Sequence, residues 1–241
     1  MGSVSIEVRG AVAIVVMDNS AHMNAIDAGI ADGLADAAGE LAKRADIGAL
    51  VLRGAGDRAF CAGVDLKFVE QFEERARGFA VIDESVERFV REMASMPIPT
   101  IAMLHGNCFG GGVHLAATAD FRFADSALKL GVPAVKARLY YPISALERLA
   151  HLIGETRTKR LVFEAEPYTA PTLLEWGFLD RVCAPGELEA RTLEYAAKLA
   201  QRPRDVVAVY QEMFRALRRG DTAAARDLRA RAKAREPGSG R

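Results

Sequence analysis

The stretch PIPTIAMLHG (97–106) runs directly into NCFGGGVH (107–114), and this junction decides the fold. Ile98, Ile101, Ala102, Met103 and Leu104 form a short apolar run of the kind a buried parallel strand shows. Pro97 and Pro99 are confined to its entrance, where a missing N–H breaks no ladder. Gly110, Gly111 and Gly112 then lead into a helix expected to start near Val113. Glycines let a backbone approach a ligand closely, and the first turn of a helix has unpaired N–H groups at the positive end of its dipole. Two such groups converging on one point would stabilise the oxyanion that develops from a polarised carbonyl. On the triplet alone, a tight strand-to-helix turn with no ligand accounts for the glycines at least as well. A nucleotide fingerprint does not fit, because neither G-x-G-x-x-G after the first strand nor G-x-x-x-x-G-K is present.

Upstream, VSIEVRGAVAIVVMD (4–18) alternates and breaks at Arg9-Gly10, which predicts a hairpin. Asp27 is placed to cap a helix running to Ala42, with Ile30, Leu34, Ala38 and Leu41 on one face. GALVLRG (48–54) predicts a buried parallel strand, residues 60–65 a loop, and 83–95 the next helix. Downstream, 120–131 is strand-like, and from Ile143 the pattern is nearly all helical, with a frayed end expected at EPGSGR (236–241). Strands alternating with helices, then a helical tail, imply an α/β core with a parallel sheet. The division expected is a core over 1–195 and a helical C-terminal region over 196–241. MFRAL (213–217) and LEYAAKLA (193–200) carry apolar stripes, consistent with packing on the chain's own core or with an oligomer contact.

The chain has 241 residues, half of them apolar, and its 32 Lys and Arg balance 32 Asp and Glu. A balanced charge offers no global field toward nucleic acid or an anionic membrane, so an anionic ligand must be met locally. Cys61, Cys108 and Cys183 are odd in number and unclustered, which argues against a disulfide framework or a zinc site and fits a reducing compartment. No apolar run approaches the ~18 residues that span a bilayer, and no secretory signal pattern opens the chain. A cytoplasmic protein is expected.

Two segments together carry more than either alone. AFCAGVDLK (59–67) resembles the F-x-A-G-x-D-L/I loop of the crotonase (enoyl-CoA hydratase/isomerase) family, and HGNCFGGGVHLAATADFRFAD (105–125) resembles its G-x-x-x-G-G-G-x-x-L-x-x-x-x-D-x-x-x-A block. The similarity extends through 19–27, 48–60 and 154–182. It implies a spiral of ββα turns with a C-terminal helical trimerisation region, assembled as a homotrimer or a dimer of trimers. It also implies an acyl-CoA thioester as substrate, with coenzyme A entering as part of it and no metal or redox cofactor. By the same resemblance, the backbone N–H groups of Val64 and Gly111 form the oxyanion hole. Asn24, Ala25, Ala62, Gly63, Asp65, Leu66 and Lys67 line the coenzyme A site, with Lys67 or Arg58 near a phosphate or simply solvated.

Hydratases of the family carry G-G-G-x-E and, about twenty residues later, G-x-P-E. This chain has His114 and Ala134 at those two places. Alanine transfers no proton, so a two-carboxylate hydration is not available, and isomerisation, decarboxylation or C–C cleavage gains weight. His114, in the first turn of the glycine-led helix, is the candidate general acid/base, or else a ring that shapes the pocket. By the same resemblance, Tyr140, with Tyr141 beside it, falls in the loop that in the family closes over the acyl group, as a hydrogen-bond donor or as an aromatic plug. Cys61 and Cys108 are expected to be inert buried thiols, and Asp65 and Asp120 structural. A non-catalytic acyl-CoA-binding protein is the alternative to an enzyme.

Overall fold

The computed structural model describes residues 1–184 and 186–234. The first hairpin pairs β1 (Ser3–Arg9) with β2 (Val12–Asp18) antiparallel, as the break at Arg9-Gly10 predicts. Then α1 (Ala28–Lys43) leads to β3 (Ala49–Gly54), β4 (Ala59–Cys61), α2 (Leu66–Val69) and α3 (Arg75–Ser95). The second turn is β5 (Thr100–Leu104), β6 (Asn107–Phe109) and α4 (Gly111–Thr118). The third is β7 (Phe121–Asp125), β8 (Lys129–Gly131), α5 (Ile143–Ile153) and α6 (Glu155–Phe163). The chain continues through β9 (Tyr168–Thr169), α7 (Ala170–Glu175), β10 (Arg181–Cys183), α8 (Leu188–Ala200), α9 (Arg204–Arg218) and α10 (Thr222–Lys233).

Each turn gives its first strand to a large sheet, ordered β1-β2-β3-β5-β7-β10, and its second to a small one, ordered β4-β6-β8-β9. The expected spiral is borne out. Where 60–65 reads as loop, residues 59–61 pair with β6, and the 120–131 segment is two strands in different sheets, split by a turn at Asp125. The helix expected over 83–95 begins earlier, at Arg75. The helical tail also contains β9 and β10, each too short to leave a periodic signal, and β10 closes the large sheet beside β7. The expected boundary at 195/196 falls inside α8, while 236–241 lie outside the described residues.

Successive side chains point to opposite faces, and the inner strands β2, β3, β5 and β7 are buried on both, whereas the edge strand β1 is largely exposed. Ala13, Val15, Leu50, Leu52, Ala102 and Leu104 face the core beneath α1 and α3, while Ile14, Val51, Ile101 and Met103 meet Leu188 and Ala196 of α8. On α1, Ile30, Leu34, Ala38 and Leu41 are all buried, and Asp27 caps the helix by accepting from Ile30 N at 3.0 Å. Each fully buried Leu or Ile of this kind contributes about 1.5–3 kcal/mol.

Two polar groups, buried Arg122 and half-buried Asp120, fix how the turns stack. Arg122 of β7 donates to the carbonyls of Ala119 and Phe178, each at 2.6 Å, and lies 3.3 Å from Asp180. Asp120 accepts from Thr100 N at 2.9 Å and from Gln211 of α9 at 2.8 Å, a structural role as expected. Among the described residues no helix is long and apolar enough to cross a membrane.

Candidate functional site

The two glycine-containing segments meet at the ends of β4 and β6. Residues 23–26 and 62–65 form a miniature ladder: Ala62 N donates to Met23 O at 3.0 Å, Ile26 N to Gly63 O at 2.7 Å, and Asp65 N to Ile26 O at 2.9 Å. In such a parallel bridge the flanking residues, Gly63 and Asp65, use their polar groups on the neighbour. The N–H of Val64 therefore faces away from Ile26, and it makes no hydrogen bond among the described residues.

Gly111 supplies the second N–H. The preceding carbonyl, Gly110 O, accepts from the Tyr141 hydroxyl at 2.8 Å and from Val113 N at 3.0 Å. In a trans peptide the N–H lies opposite the carbonyl, so these contacts aim Gly111 N–H away from the helix and away from Tyr141. It too is unpaired among the described residues. Gly110 N is held by Gly131 O at 3.0 Å, which fixes the peptide from the other side.

The segments touch because neither has a side chain in the way. Gly63 has φ +101°, and a methyl added to it would lie 3.5 Å from Gly111 N. At Gly112 a methyl would lie 2.4 Å from Cys61 O. Both Val64 and Gly111 are half-buried, reachable from outside yet backed by the core.

Asn24 sits at φ +55° and is almost fully buried. Its amide donates to Ala55 O and Ala59 O at 3.0 and 2.8 Å while its oxygen accepts from Asn19 N at 3.1 Å, so its side chain is spent on clamping the loop. Ala25 is buried beside it. Asp65 caps α2, accepting from Lys67 N at 2.9 Å, with His22 Nδ1 3.2 Å from its other oxygen. Leu66 and Lys67 are exposed next to this loop, and Arg58 donates to Ser20 O. Cys61 and Cys108 are buried free thiols, and burial pushes the Cys61 thiol up to about 12, which leaves it protonated and inert as expected.

His114 is only 1% exposed. Its Nε2 lies 3.2 Å from Ser144 Oγ on α5, and that hydroxyl donates to Glu87 of α3. Burial, opposed by Glu87 and reinforced by Arg148, lowers the His114 pKa to about 4, so the ring is neutral at pH 7. The Tyr141 ring meets it edge-on at 6.4 Å. Of the adjacent tyrosines it is Tyr141 that the fold brings to the glycines. Tyr140 is fully exposed at 102%, because Pro142 and the start of α5 turn the pair so that only one can face inward.

Glu87 and Ser144 carry no motif that the sequence exposes. Glu87 is one of several acids along a charged helix, and Ser144 sits unremarked in the first turn of α5. Among the described residues no group of His, Cys, Asp and Glu is placed to hold a metal ion.

The profile of the enoyl-CoA hydratase/isomerase family matches residues 7–236. The short-chain-enoyl-CoA hydratase of Clostridium acetobutylicum is 28% identical over 200 residues, covering 83% of this chain and 76% of that protein. The crotonyl-CoA hydratase of Syntrophomonas wolfei is 27% identical over 201 residues, covering 83% and 76%. The solved enoyl-CoA hydratase of Bacillus anthracis shares the fold, with a TM-score of 0.89 over 96% of this chain and 90% of that one at 24% identity. On the match across nearly its whole length, this chain belongs to the enoyl-CoA hydratase/isomerase family.

Proposed function

We propose that the protein binds an acyl-CoA thioester with its carbonyl oxygen between the N–H groups of Val64 and Gly111, and that this pair stabilises a thioester enolate. The observation that carries the reading is the pair itself. Two N–H groups, unpaired among the described residues, lie on touching segments, that of Val64 aimed by the backbone bonds of its neighbours and that of Gly111 by the bonds of Gly110 O to Val113 N and the Tyr141 hydroxyl. Preorganised donors of this kind act where charge develops and need no reorganisation during the reaction. Coenzyme A would run along the loop of Ala62, Gly63, Leu66 and Lys67, with Asn24 and Ala25 shaping its wall.

His114, in the first turn of the helix that Gly111 begins, is the group we assign to moving a proton. A ring with a pKa of about 4 is a weak base at neutral pH, and Ala134 supplies no partner. Reactions that release the enolate by losing CO2 or by breaking a C–C bond ask least of such a base, with isomerisation next and hydration last. The relatives named above as hydratases mark the chemistry from which this site departs. No metal or redox step enters the proposal.

The assembly we propose is a homotrimer or a dimer of trimers, in a cytoplasmic setting. Val206, Tyr210, Phe214 and Leu217 form an exposed apolar stripe along α9, suited to a second copy of the chain.

The test is calorimetry of crotonyl-CoA against crotonate, alongside a turnover screen of enoyl-, malonyl- and hydroxyacyl-CoA thioesters. The thioester should bind more tightly than the acid. Hydration of crotonyl-CoA should be slow, because each lost proton-transfer group typically removes ~10²–10⁴-fold. Equal affinity for acid and thioester would remove the ground for the oxyanion pair, and rapid hydration would show that another base serves the water.

A further inference from the structure

Three helices converge on one hydroxyl. Glu87 of α3, Ser144 of α5 and His114 of α4 are linked in series through Ser144 Oγ. We propose that Glu87 and Ser144 are positioning residues that fix the tautomer of His114, with its proton on Nε2 and its lone pair on Nδ1, so that Nδ1 is the atom presented to the acyl group. The catalytic consequence rests on the function proposed above; the tautomer itself does not.

The argument is a count of hydrogens. A serine hydroxyl has one, and here it is donated to the Glu87 carboxylate. At the 3.2 Å contact the oxygen is then left only as an acceptor, so Nε2 must be the donor. A neutral imidazole carries a single N–H, which leaves Nδ1 unprotonated. The opposite tautomer would set His114 and Glu87 competing for the same hydrogen and leave one of them without a donor. Losing a hydrogen bond to a charged group biases the population at least about tenfold.

The surroundings agree. Glu87 from α3 and Arg148 from α5 are the charged groups whose fields reach the ring, and Tyr141 closes its edge. Nδ1 makes no hydrogen bond among the described residues. The enclosed side-chain polar atom that lacks a partner among those residues is His105 Nε2, so Nδ1 of His114 is not sealed off. The arrangement differs from a serine nucleophile backed by histidine and acid, because the carboxylate holds the serine rather than the imidazole.

The experiment is long-range ¹H–¹⁵N correlation of the full-length chain labelled at histidine, without ligand at pH 7, with His114 signals assigned by their loss in His114→Gln. The wild type should show the Nε2–H form. Ser144→Ala should raise the Nδ1–H population several-fold, and Ser144→Thr, which keeps a hydroxyl, should restore the original form. On whichever thioester the screen finds to turn over, Ser144→Ala should lower kcat about tenfold or more with KM little changed, and Ser144→Thr should recover most of it. Should Ser144→Ala fail to fold, the isosteric Glu87→Gln should weaken the same bias. An Nδ1–H form in the wild type, or a tautomer indifferent to these changes, overturns the proposal. A tautomer that shifts while kcat holds would uphold the assignment and refute the catalytic use of His114 instead.

Discussion

Acidifying the protein from pH 7.5 to 4.5 should cost it stability that a His114→Gln variant keeps. Burial holds the folded-state pKa of His114 at about 4, against 6.5 for the imidazole in an unfolded chain. Between those values the unfolded chain binds a proton that the folded chain refuses. The stabilisation is thus complete above pH 6.5 and is lost as pH falls toward 4, below which both states are protonated and the loss levels off. At about 1.4 kcal/mol per unit, the gap corresponds to roughly 3 kcal/mol, of which roughly 2–3 should be gone by pH 4.5. His114 is almost wholly enclosed, so solvent screening discounts little of this. Urea unfolding followed by circular dichroism, for both proteins across the range, isolates the effect. Titrating groups away from His114, including His105, whose pKa burial also lowers, are common to the two curves and cancel. Stability curves that run parallel, within about half a kcal/mol, would mean that protonation of His114 is not refused. The ring would then be reached by water in the folded state, and the neutral-imidazole reading of the site would fall with it.

Gly112→Ala should destabilise by about 1–3 kcal/mol or more, because the added methyl meets the Cys61 carbonyl at 2.4 Å and both sides are backbone. Gly154→Ala meets open space but stands at φ +80°, ψ +158°, a conformation essentially only glycine adopts, so it should cost about 1–3 kcal/mol by the same unfolding assay through backbone strain alone, and an unchanged stability would refute that. For α9, Tyr210→Asp with Phe214→Asp should shift sedimentation toward the monomer while leaving the far-ultraviolet spectrum intact. An unchanged sedimentation coefficient would place the stripe outside any interface.

What the sequence legibly carried was local. Asp27 as a cap, the hairpin broken at Gly10, the strand at 100–104 and the glycine-led helix after it all depend on contacts within a few residues. The two glycine segments were legible for a related reason. Only glycine tolerates φ +101° at Gly63 and the close approach at Gly112, so the fold leaves its mark on residue identity. The limits of this reading appear where elements are very short, as at β4 and β10, whose three residues each are strands only because a neighbour accepts their hydrogen bonds.

The surroundings of His114 were decided elsewhere. Its position on the first turn of α4 follows from the sequence, but its burial, lowered pKa and bonded Nε2 come from α3 and α5 folding over it. Glu87 and Ser144 are 57 residues apart and Ser144 and His114 are 30 apart, on helices whose own periodicity says only which face is apolar. The choice of Tyr141 over Tyr140 likewise turns on how the chain enters α5, because neighbouring side chains of similar chemistry are told apart only by the backbone that aims them. Sequence alone fixes what is enforced by neighbours along the chain; a hydrogen-bonded relay between helices exists only once packing has brought its members within 3 Å or so of one another, and nothing short of the tertiary structure sets that distance.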